Sequence, residues 1–285
     1  MIIVDLNQVM ISNLMAQIGS HHNIPMDENL IRHMVLNAIK GYRKRFFGEF
    51  GELVIATDDK HYWRRDAFPY YKAHRKAWRD KSELDWKAIW AALNNIKGEI
   101  RDIFPYKFIE VAGAEADDII GTICHKFGKP LNTGEPILIL SGDKDFVQLQ
   151  KYANVRQYNP VLKKFVTTSE PEKFLIEHIL RGDRGDGIPN ILSKDDCFIN
   201  SRQKPLRKTF INKVIQENGD VHLESEEHKR NFARNKMLVD LTETPEEIKL
   251  NILEQFEKPA NGRDKLFNYF IEYKLKGLVE SIGEY

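Results

Sequence analysis

Acidic side chains follow three short apolar runs of this chain, at the point where each run ends. The runs are Ile2–Val4, Leu53–Ala56 and Ile137–Leu140, and the acids after them are Asp5, Asp58, Asp59, Asp143 and Asp145. Each run is brief, mostly aliphatic and bounded by polar or glycine residues, which predicts a buried strand. Because the carboxyl ends of parallel strands meet at one edge of a sheet, we expect these carboxylates to converge there.

Two further acidic groups are predicted to reach the same edge. The acids that open a helix after a fourth predicted strand, Lys107–Val111, are Glu115, Asp117 and Asp118. Asp183 and Asp186 are three residues apart in a Gly- and Asp-rich turn, a spacing that can turn both side chains toward one side. Each acid alone has a simpler explanation as a turn former, a helix cap or a favourable charge at a helix N-terminus. The arrival of five groups by independent routes favours a site.

Carboxylates packed this densely repel one another, and divalent cations between them remove that repulsion. The acids have no Cys or His near them in the sequence, and oxygen donors alone select Mg²⁺, with Mn²⁺ as a substitute, over Zn²⁺. Two such ions about 4 Å apart would bracket the attacking and leaving oxygens of a phosphoryl-transfer step. Asp143-Lys144-Asp145 does not fit an EF-hand, because the later acids and glycine of that loop are missing. The pattern therefore predicts a two-metal phosphodiesterase site.

Basic and aromatic residues alternate in the segment 60–81, directly after Asp58 and Asp59. The basic residues are Lys60, Arg64, Arg65, Lys72, Arg75, Lys76, Arg79 and Lys81, and the acidic ones are Asp66 and Asp80. The aromatic residues are Tyr62, Trp63, Phe68, Tyr70, Tyr71 and Trp78. Basic side chains that pair with phosphates, together with aromatic rings that stack on nucleobases, are suited to binding single-stranded nucleic acid. The alternative is a solvated helix whose rings pack on the core.

A second basic patch follows the Gly- and Asp-rich turn. Its members are Arg202, Lys204, Arg207, Lys208 and Lys213, with no acid between Ser201 and Lys213. Such a patch can hold a duplex through its phosphates without reading sequence. Taken alone, it is more often part of an ordinary solvated surface.

The elements that must position these side chains alternate along the first part of the chain. Apolar residues at helical spacing predict helices over Asn29–Phe47, Asp85–Phe104 and Ala114–Phe127, between the predicted strands. This alternation predicts an α/β core with a parallel sheet and helices on both faces. After about residue 165 the pattern is mainly helical. We therefore place an α/β nuclease core at 1–170 and a helical C-terminal DNA-binding domain at 171–285.

Composition is that of an ordinary globular protein, with 42% hydrophobic and 30% charged residues and a net charge of +1. Bulk charge therefore says nothing about partners. The chain has only two cysteines, Cys124 and Cys197, which suits a reduced intracellular protein. It has no signal peptide and no run long enough to span a membrane, so we expect a cytoplasmic location.

The motifs resemble the flap endonuclease/5′-nuclease family of PIN-like proteins, and within it the T-even-type phage branch most closely. The matching stretches are Ile3–Asp5, Thr57–Asp59, Tyr62–Asp66, Tyr70–Lys72, Glu115–Asp118, Ser141–Phe146, Gln148–Leu149 and Gly182–Asp186, with a looser match over Leu278–Tyr285. The resemblance implies a Mg²⁺-dependent 5′→3′ exonuclease that also cuts 5′ flaps. It further implies degradation of RNA–DNA hybrids and double-stranded DNA from the 5′ end, as in RNA primer removal during DNA replication, in the host cytoplasm for a phage-encoded chain.

Residue roles follow from the same resemblance. The first metal would be held by Asp5, Asp58, Asp117 and Asp143, and the second would be served by Asp145, Asp183, Asp186 and Glu115, partly through water. Asp118 is implied as a supporting acid of the metal site. Lys72 and Arg75 would steady the scissile phosphate, and the segment 60–81 would form an arch for a free 5′ end. The implied nucleic-acid contacts are Arg64, Arg65, Tyr70, Tyr71, Lys72, Arg75, Lys76, Arg202, Lys204, Arg207 and Lys208.

The sequence departs from the family after the last acid pair. Gly187–Asn190 begins the family's Ile-Pro-Gly motif, but Ile191–Cys197 has none of the glycines of the hairpin that binds duplex through a monovalent cation. The basic patch from Arg202 to Lys213 is the candidate substitute. The implied partners are DNA, an RNA–DNA hybrid and 5′-flap or forked DNA, with a single-strand-binding protein and a sliding clamp, and we expect a monomer. Two other functions stay open, a PIN-like endonuclease of structured RNA and a catalytically inactive module that binds branched DNA.

Overall fold

A mostly parallel sheet lies at the centre of the computed structural model, which describes residues 1–20, 27–82, 84–131, 133–216, 223 and 225–285. The strands are β1 (Ile2–Asp5), β2 (Leu53–Ala56), β3 (Lys107–Ile109), β4 (Ile137–Leu140), β5 (Val155–Asn159) and β6 (Lys164–Val166). Their order across the sheet is β3-β2-β1-β4-β5-β6. Strands β1 to β5 are parallel, and β6 pairs antiparallel with β5 at one edge. The predicted parallel sheet is confirmed.

Helices cover both faces of this sheet and continue through the rest of the chain. They are α1 (Leu6–Ser20), α2 (Glu28–Phe50), α3 (Trp63–Ala67), α4 (His74–Asp80), α5 (Trp86–Ile103), α6 (Ala116–Phe127), α7 (Pro171–Arg181), α8 (Lys208–Gln216), α9 (Glu226–Val239), α10 (Glu246–Glu257), α11 (Leu266–Glu272) and α12 (Lys276–Val279). Short 3-10 helices lie at Lys144–Lys151, Leu241–Glu243 and Ile282–Glu284. Among the described residues, no helix combines the length and the apolar character that crossing a bilayer requires.

Local sequence signals fix where the long helices begin and end. Asp27 caps α2, accepting a hydrogen bond from the amide of Asn29, and Gly51 ends that helix in the left-handed region. Asp85 caps α5 by accepting from the amide of Ala88, and Pro105 prevents the helix from continuing far past Ile103. The helices expected over Asn29–Phe47, Asp85–Phe104 and Ala114–Phe127 are confirmed within a few residues.

Alternate side chains of β1 enter two separate cores, because successive strand residues face opposite sides of a sheet. Ile2 and Val4 pack with α1, α2 and α5, together with side chains of α11 and α12. Ile3 packs on the other face with α6 and α10. Residues of the C-terminal third thus contribute to both faces of the sheet. The domain division near residue 170 stays a prediction.

A third core joins the segment after β2 to the helices after the sheet. Phe68 and Tyr71, from the basic and aromatic segment, pack with residues of α7, α8 and α9. Strand β1 lies between β2 and β4, which extend the sheet in opposite directions, and such a reversal leaves a ligand crevice beyond the strands' carboxyl ends. Tyr71 of this third core contacts Glu115 and Asp186 through its hydroxyl.

Candidate metal centre and nucleic-acid interface

Asp5 ends β1 at the middle of the carboxyl edge, opposite Ala56 of β2. One carboxylate oxygen accepts from the amide of Gln8 at 3.0 Å, and the other accepts from the hydroxyl of Ser141 at 3.1 Å. Ser141 follows β4, so this bond ties the ends of two adjacent strands together. The Gln8 side chain accepts in turn from the amide of Gly142. Asp5 is therefore held in place by backbone and side-chain donors on both sides.

The two acids after β2 have different roles. Asp58 accepts at 2.7 Å from the amide of Ala116, the first residue of α6, so that the helix start orients it. Asp59 instead accepts at 2.9 Å from the amide of Gly113, a glycine with φ of 79°. That bond, opposing the effect of burial, holds the pKa of Asp59 below its ordinary value. Asp59 is a turn-forming residue, as the simpler explanation of such acids expected.

Asp143 and Asp145 lie at the start of the 3-10 helix Lys144–Lys151. The amide of Asp145 donates to Oδ1 of Asp143 at 3.0 Å, and the side chain of Gln157 donates to the carbonyl of Asp143 at 2.6 Å. Gln157 belongs to β5, so the sheet itself positions this turn. Asp143 is partly exposed, whereas Asp145 is buried. Oδ1 of Asp145 has no hydrogen-bond partner among the described residues.

The last acid pair is held by a tight turn after α7. Gly182 and Gly187 adopt φ of 64° and 73°, and the amides of Gly185 and Asp186 both donate to Oδ1 of Asp183. A Cβ on Gly187 would lie 2.9 Å from the carbonyl oxygen of Tyr70. Glycine at this position therefore allows the turn to lie directly against the basic and aromatic segment.

Lys72 connects that segment to the acids. Its backbone has φ of 55°, an uncommon conformation for a residue with a side chain, and its amide donates to the carbonyl of Asp186 at 2.7 Å. Its ammonium lies 2.5 Å from Oε1 of Glu115 and 3.7 Å from Oδ2 of Asp186. Arg75 is paired with the other oxygen of Asp186 at 2.6 Å. Both predicted phosphate-contacting cations thus stand beside the acid cluster.

Burial is the main reason why the clustered carboxyl groups hold protons. It raises the pKa of Asp5 to about 7, and the charge of Asp58 adds to the effect. It also raises the pKa values of Asp117 and Asp145 well above their ordinary range, with Asp143 as the next cause for both. Without cations, the acids cannot all ionise at neutral pH. The unpartnered oxygen of Asp145 and the oxygen-rich donor set fit divalent cations.

The structure corrects the predicted role of Arg64. Its side chain is buried, and the guanidinium donates to Glu115 at 3.1 Å, to Asp118 at 2.8 Å and to the carbonyl of Leu238 at 2.9 Å. The expectation that Arg64 contacts nucleic acid is therefore wrong. It is a buried counterion that joins α3, α6 and α9.

The predicted roles of Asp118 and Tyr71 are also corrected, because both side chains are buried. Asp118 is fully buried and accepts hydrogen bonds from Arg64, Trp63, Thr244 and the amide of Glu115. Against the effect of burial, Arg64 holds the pKa of Asp118 below its ordinary value. Donors thus occupy both oxygens of Asp118, so the structure leaves it no direct metal contact, and the role implied for it is limited to that of a supporting acid.

Tyr71 is 2% exposed, and its hydroxyl contacts Glu115 at 3.0 Å and Asp186 at 2.9 Å. It therefore positions acids and cannot stack on a nucleobase. Glu115 is likewise buried, and Lys72, Arg64 and Tyr71 occupy its oxygens. Glu115 could therefore take part in the metal site only indirectly, through a water molecule between its carboxylate and the ion.

The other predicted nucleic-acid contacts remain accessible. Arg65 and Lys76 are exposed, and Tyr70 is partly exposed. The members of the second patch, all exposed, are Arg202, Lys204, Arg207, Lys208 and Lys213. Arg202, Lys204 and Arg207 precede α8, Lys208 is its first residue, and Lys213 lies in its last turn.

A groove with a volume of about 330 Å³ runs beside the acids. It is lined by Asp58, Tyr62, Arg65, Lys72, Arg79 and Trp90, among others. Beyond it, Trp78 is 63% exposed and its ring centroid lies 5.8 Å from that of Trp86. The sequence pointed to the basic and aromatic segment but not to the tryptophans that α5 places in or beside the groove. Trp86 and Trp90 were missed because their spacing is that of ordinary core residues of a helix.

Sequence reasoning also missed His178. This buried residue of α7 stands between two predicted metal ligands, with Nδ1 3.4 Å from Oδ1 of Asp145 and Nε2 3.5 Å from Oδ2 of Asp183. The expectation that no Cys or His lies near the acids is therefore corrected for His178. The only available signal was the position of His178 five residues before Asp183, within a helix that leads into the acidic turn.

Two protein families match this chain. Residues 7–178 match the family described as 5′-3′ exonuclease, N-terminal resolvase-like domain, and residues 169–285 match the family described as T4 RNase H, C terminal. Ribonuclease H of Enterobacteria phage T4 is 30% identical, over 99% of this chain and 95% of its own length. Flap endonuclease Xni of Shewanella oneidensis is 32% identical, over 48% of this chain and 51% of its own.

Solved structures show the same fold at lower identity. The flap endonuclease D15 of bacteriophage T5, in a pseudo-enzyme–product complex with DNA and metal ions, is 17% identical with a TM-score of 0.65. The match covers 90% of this chain and 99% of that one. A T5 5′-exonuclease structure with bound zinc ions gives the same TM-score. The expected PIN-like 5′-nuclease fold is confirmed, and this chain belongs to the 5′-3′ exonuclease family of phosphodiester hydrolases, as a homologue of T4 ribonuclease H.

Proposed function

We propose that this protein is a Mg²⁺-dependent 5′→3′ exonuclease and flap endonuclease. It would degrade RNA–DNA hybrids and double-stranded DNA from the 5′ end, and thereby remove RNA primers during DNA replication. The observation that supports this most strongly is electrostatic. Besides burial, the charge of Asp143 raises the pKa of Asp5 at the end of β1 and of Asp117 in α6, so these acids lie close together, beside the paired cations Lys72 and Arg75.

The acids divide into two candidate ligand sets. The first is Asp5, Asp58, Asp117 and Asp143, and the second is Asp145, Asp183 and Asp186, with Glu115 acting indirectly. Two Mg²⁺ ions are proposed, with Mn²⁺ as a substitute. The chemistry that such cations supply when bound is the activation of a water molecule and the stabilisation of charge on the leaving oxygen.

Residues of the chain itself would position the scissile phosphate. Lys72 is fixed by its backbone bond to Asp186 and by its ion pair with Glu115, so its ammonium points toward the acids without a substrate. Against the effect of burial, Tyr71 and nearby acids raise the pKa of Lys72 well above its ordinary value, so the side chain is cationic at neutral pH. Lys72 and the half-exposed Arg75 would neutralise charge that develops on the phosphate oxygens. Hydrolysis would leave a 5′-phosphate on the product.

The groove and the second basic patch are proposed as the nucleic-acid path. Arg65 and Tyr70 are suited to a single strand that enters the groove, because exposed cations pair with phosphates and rings stack on bases. Lys76 lies on the same exposed segment. Arg202, Lys204, Arg207 and Lys208 would hold the duplex, in place of the glycine hairpin that the sequence lacks. The DNA bound by the T5 enzyme of the same fold supports a DNA substrate.

Several wider features are also proposals. We infer a monomer that acts in the cytoplasm of the host cell, on 5′-flap or forked DNA, with a single-strand-binding protein and a sliding clamp as candidate partners. The helical segment 171–285 is the proposed DNA-binding domain.

The proposal is tested by digesting three labelled substrates in Mg²⁺, namely a 5′-flap DNA, an RNA primer annealed to DNA, and a folded RNA. Short products released from the 5′ end of the hybrid, together with cleavage at the flap junction, are the expected result. Preferential cleavage of the folded RNA would instead favour a structured-RNA endonuclease. Tight binding of the flap without any cleavage, in either Mg²⁺ or Mn²⁺, would contradict the enzymatic proposal.

A further inference from the structure

The imidazole of His178 lies between the carboxylates of Asp145 and Asp183, at the bottom of the acid cluster. It is 5% exposed, and each ring nitrogen faces one acid, at 3.4 Å and 3.5 Å respectively. One ligand atom from each of these three residues can be chosen so that all lie within 4.8 Å of one another. Ligand atoms of a six-coordinate ion lie roughly 3 Å apart when adjacent and roughly 4–5 Å apart when opposite, so this triad falls within the span of a cation site.

Two buried polar atoms in the triad lack hydrogen bonds. Nε2 of His178 and Oδ1 of Asp145 have no partner among the described residues. A buried imidazole nitrogen or carboxylate oxygen without a partner is costly, and such atoms in a native fold call for an explanation. A bound cation supplies one, because it would be a partner to both. This observation is independent of the acidity of the cluster.

The charges around the triad also allow a cation. Besides the two acids, Lys144 reaches the site, with its ammonium 3.1 Å from Oδ2 of Asp183. Lys144 is about half exposed, so it can swing into solvent when a divalent ion binds. Asp143 and Asp186 are the other charged groups that act on Asp145, and both are acids. The balance of charge at this position is therefore negative.

We propose that His178 supplies a nitrogen ligand to the cation held by Asp145 and Asp183, and that it shifts the preference of this position toward Mn²⁺ and similar transition ions. Imidazole suits transition ions, whereas Mg²⁺ favours oxygen donors and water. One ring nitrogen would bind the ion, and the other would donate to the facing carboxylate, which fixes the orientation of the ring. This inference rests on the proposed metal-dependent function and refines its second ligand set. The first set, around Asp5 and Asp117, would keep an oxygen-only preference.

The test uses Mn²⁺ as the probe with the full chain. Electron paramagnetic resonance counts bound Mn²⁺ and gives its affinity, and electron spin-echo modulation detects ¹⁴N bonded to the ion. We expect two Mn²⁺ ions and a clear ¹⁴N modulation in the unaltered protein. The modulation should disappear in His178→Gln, with about 10-fold weaker binding of one ion. The matched control is His125→Gln, which removes a partly buried imidazole whose Nδ1 is hydrogen-bonded to the hydroxyl of Tyr152.

A second measurement needs no substitution. Labelling the unaltered protein with ¹⁵N-histidine should replace the ¹⁴N modulation by that of ¹⁵N, which keeps the test informative even when His178→Gln folds poorly. Two bound Mn²⁺ ions without nitrogen modulation would overturn the inference and leave the proposed function intact. Failure to bind Mn²⁺ or Mg²⁺ at millimolar concentration would overturn both. Equal loss of binding in His178→Gln and His125→Gln would also contradict a ligand role.

Discussion

The guanidinium of Arg64 lies 2.8 Å from Oδ2 of Asp118, and neither side chain reaches solvent. The adjacent Arg65 is exposed, although both arginines belong to the same short helix and the same basic segment. Two neighbouring residues of identical type thus have opposite roles. One balances charge beneath the acid cluster, and the other faces the groove where a nucleic acid would bind.

We expect Arg64→Ala to destabilise the protein by about 3–5 kcal/mol, because it leaves Asp118 and Glu115 buried without their counterion. Arg65→Ala should change stability by less than about 0.5 kcal/mol, since its side chain is exposed. Urea denaturation of the two variants measures this difference. Binding of single-stranded DNA, followed by fluorescence anisotropy, should weaken in Arg65→Ala. Equal stability of the two variants would contradict the structural role of Arg64.

Asp143→Asn should abolish cleavage in Mg²⁺ while leaving DNA binding largely intact. The substitution removes one ionic ligand from the first proposed ligand set but keeps the shape of the side chain and its acceptor for the amide of Asp145. Gel-based cleavage of a flap and anisotropy with the same flap measure the two properties separately. Asp59→Asn is the matched control, because Asp59 bonds to Gly113 in a turn beside the site. Full activity of Asp143→Asn would refute its assigned role.

Lys72→Gln should lower the rate of cleavage by about 10²-fold or more, the usual effect of removing a cation that stabilises developing charge. Gln keeps much of the length of the side chain, and it leaves the strained backbone at this position as it is. Lys76→Gln, four residues away and exposed, should affect binding modestly and the single-turnover rate little. Rates measured at saturating enzyme distinguish these effects. A Lys72→Gln variant that is slow only at low enzyme concentration would indicate a role in binding alone.

The contribution of Asp5 to the free energy of unfolding, measured without metal, should fall as pH rises from about 4 to about 7. Asp5 has its pKa raised from 3.8 to about 7, so the folded state binds the proton that the unfolded state has already released. The contribution of this group is present at low pH and is lost as pH rises through the folded-state pKa. Its upper limit is on the order of 4 kcal/mol for a shift of this size.

Denaturation in a chelator at pH 5 and pH 8 measures this dependence. Asp5→Asn should be the more stable protein at pH 8 and should show a smaller pH dependence. Asn can still accept from the amide of Gln8 and donate to the hydroxyl of Ser141. Added Mg²⁺ should stabilise the unaltered protein more at pH 8 than at pH 5, since protons compete with the metal. A Mg²⁺ effect independent of pH would contradict the clustering of these acids.

The positions of the acids were predictable because the strands that carry them are nearly pure aliphatic runs. Residues in Leu53–Ala56 and Ile137–Leu140 are buried on both faces of the sheet, so composition alone reveals them. β5 was missed because Val155–Asn159 mixes exposed Arg156 with buried Gln157, a pattern that an edge region shares with loops. The convergence of the acids then followed from the general rule that the carboxyl ends of parallel strands lie at one edge of a sheet.

The roles of Arg64 and His178 could not be predicted, for a common reason. Each depends on a partner far along the chain, Asp118 and Leu238 for Arg64, and Asp145 for His178. Nothing in the local sequence separates Arg64 from Arg65. Sequence proximity alone also did not reveal the imidazole near the acids, because α7 brings His178 to Asp145, which lies more than thirty residues earlier in the chain.

Both edge strands of the sheet, β3 and β6, are short and carry charged residues, which affects the tendency of the protein to aggregate at high concentration. The antiparallel β6 presents three residues, preceded by Lys163 with φ of 53° and beginning with exposed Lys164. At the opposite margin, the side chain of Gln255 accepts from the amide of Glu110, just past the three residues of β3. Charged, brief margins offer a poor template for an added strand. Aggregation through sheet extension is therefore disfavoured, even where the enzyme accumulates to high levels.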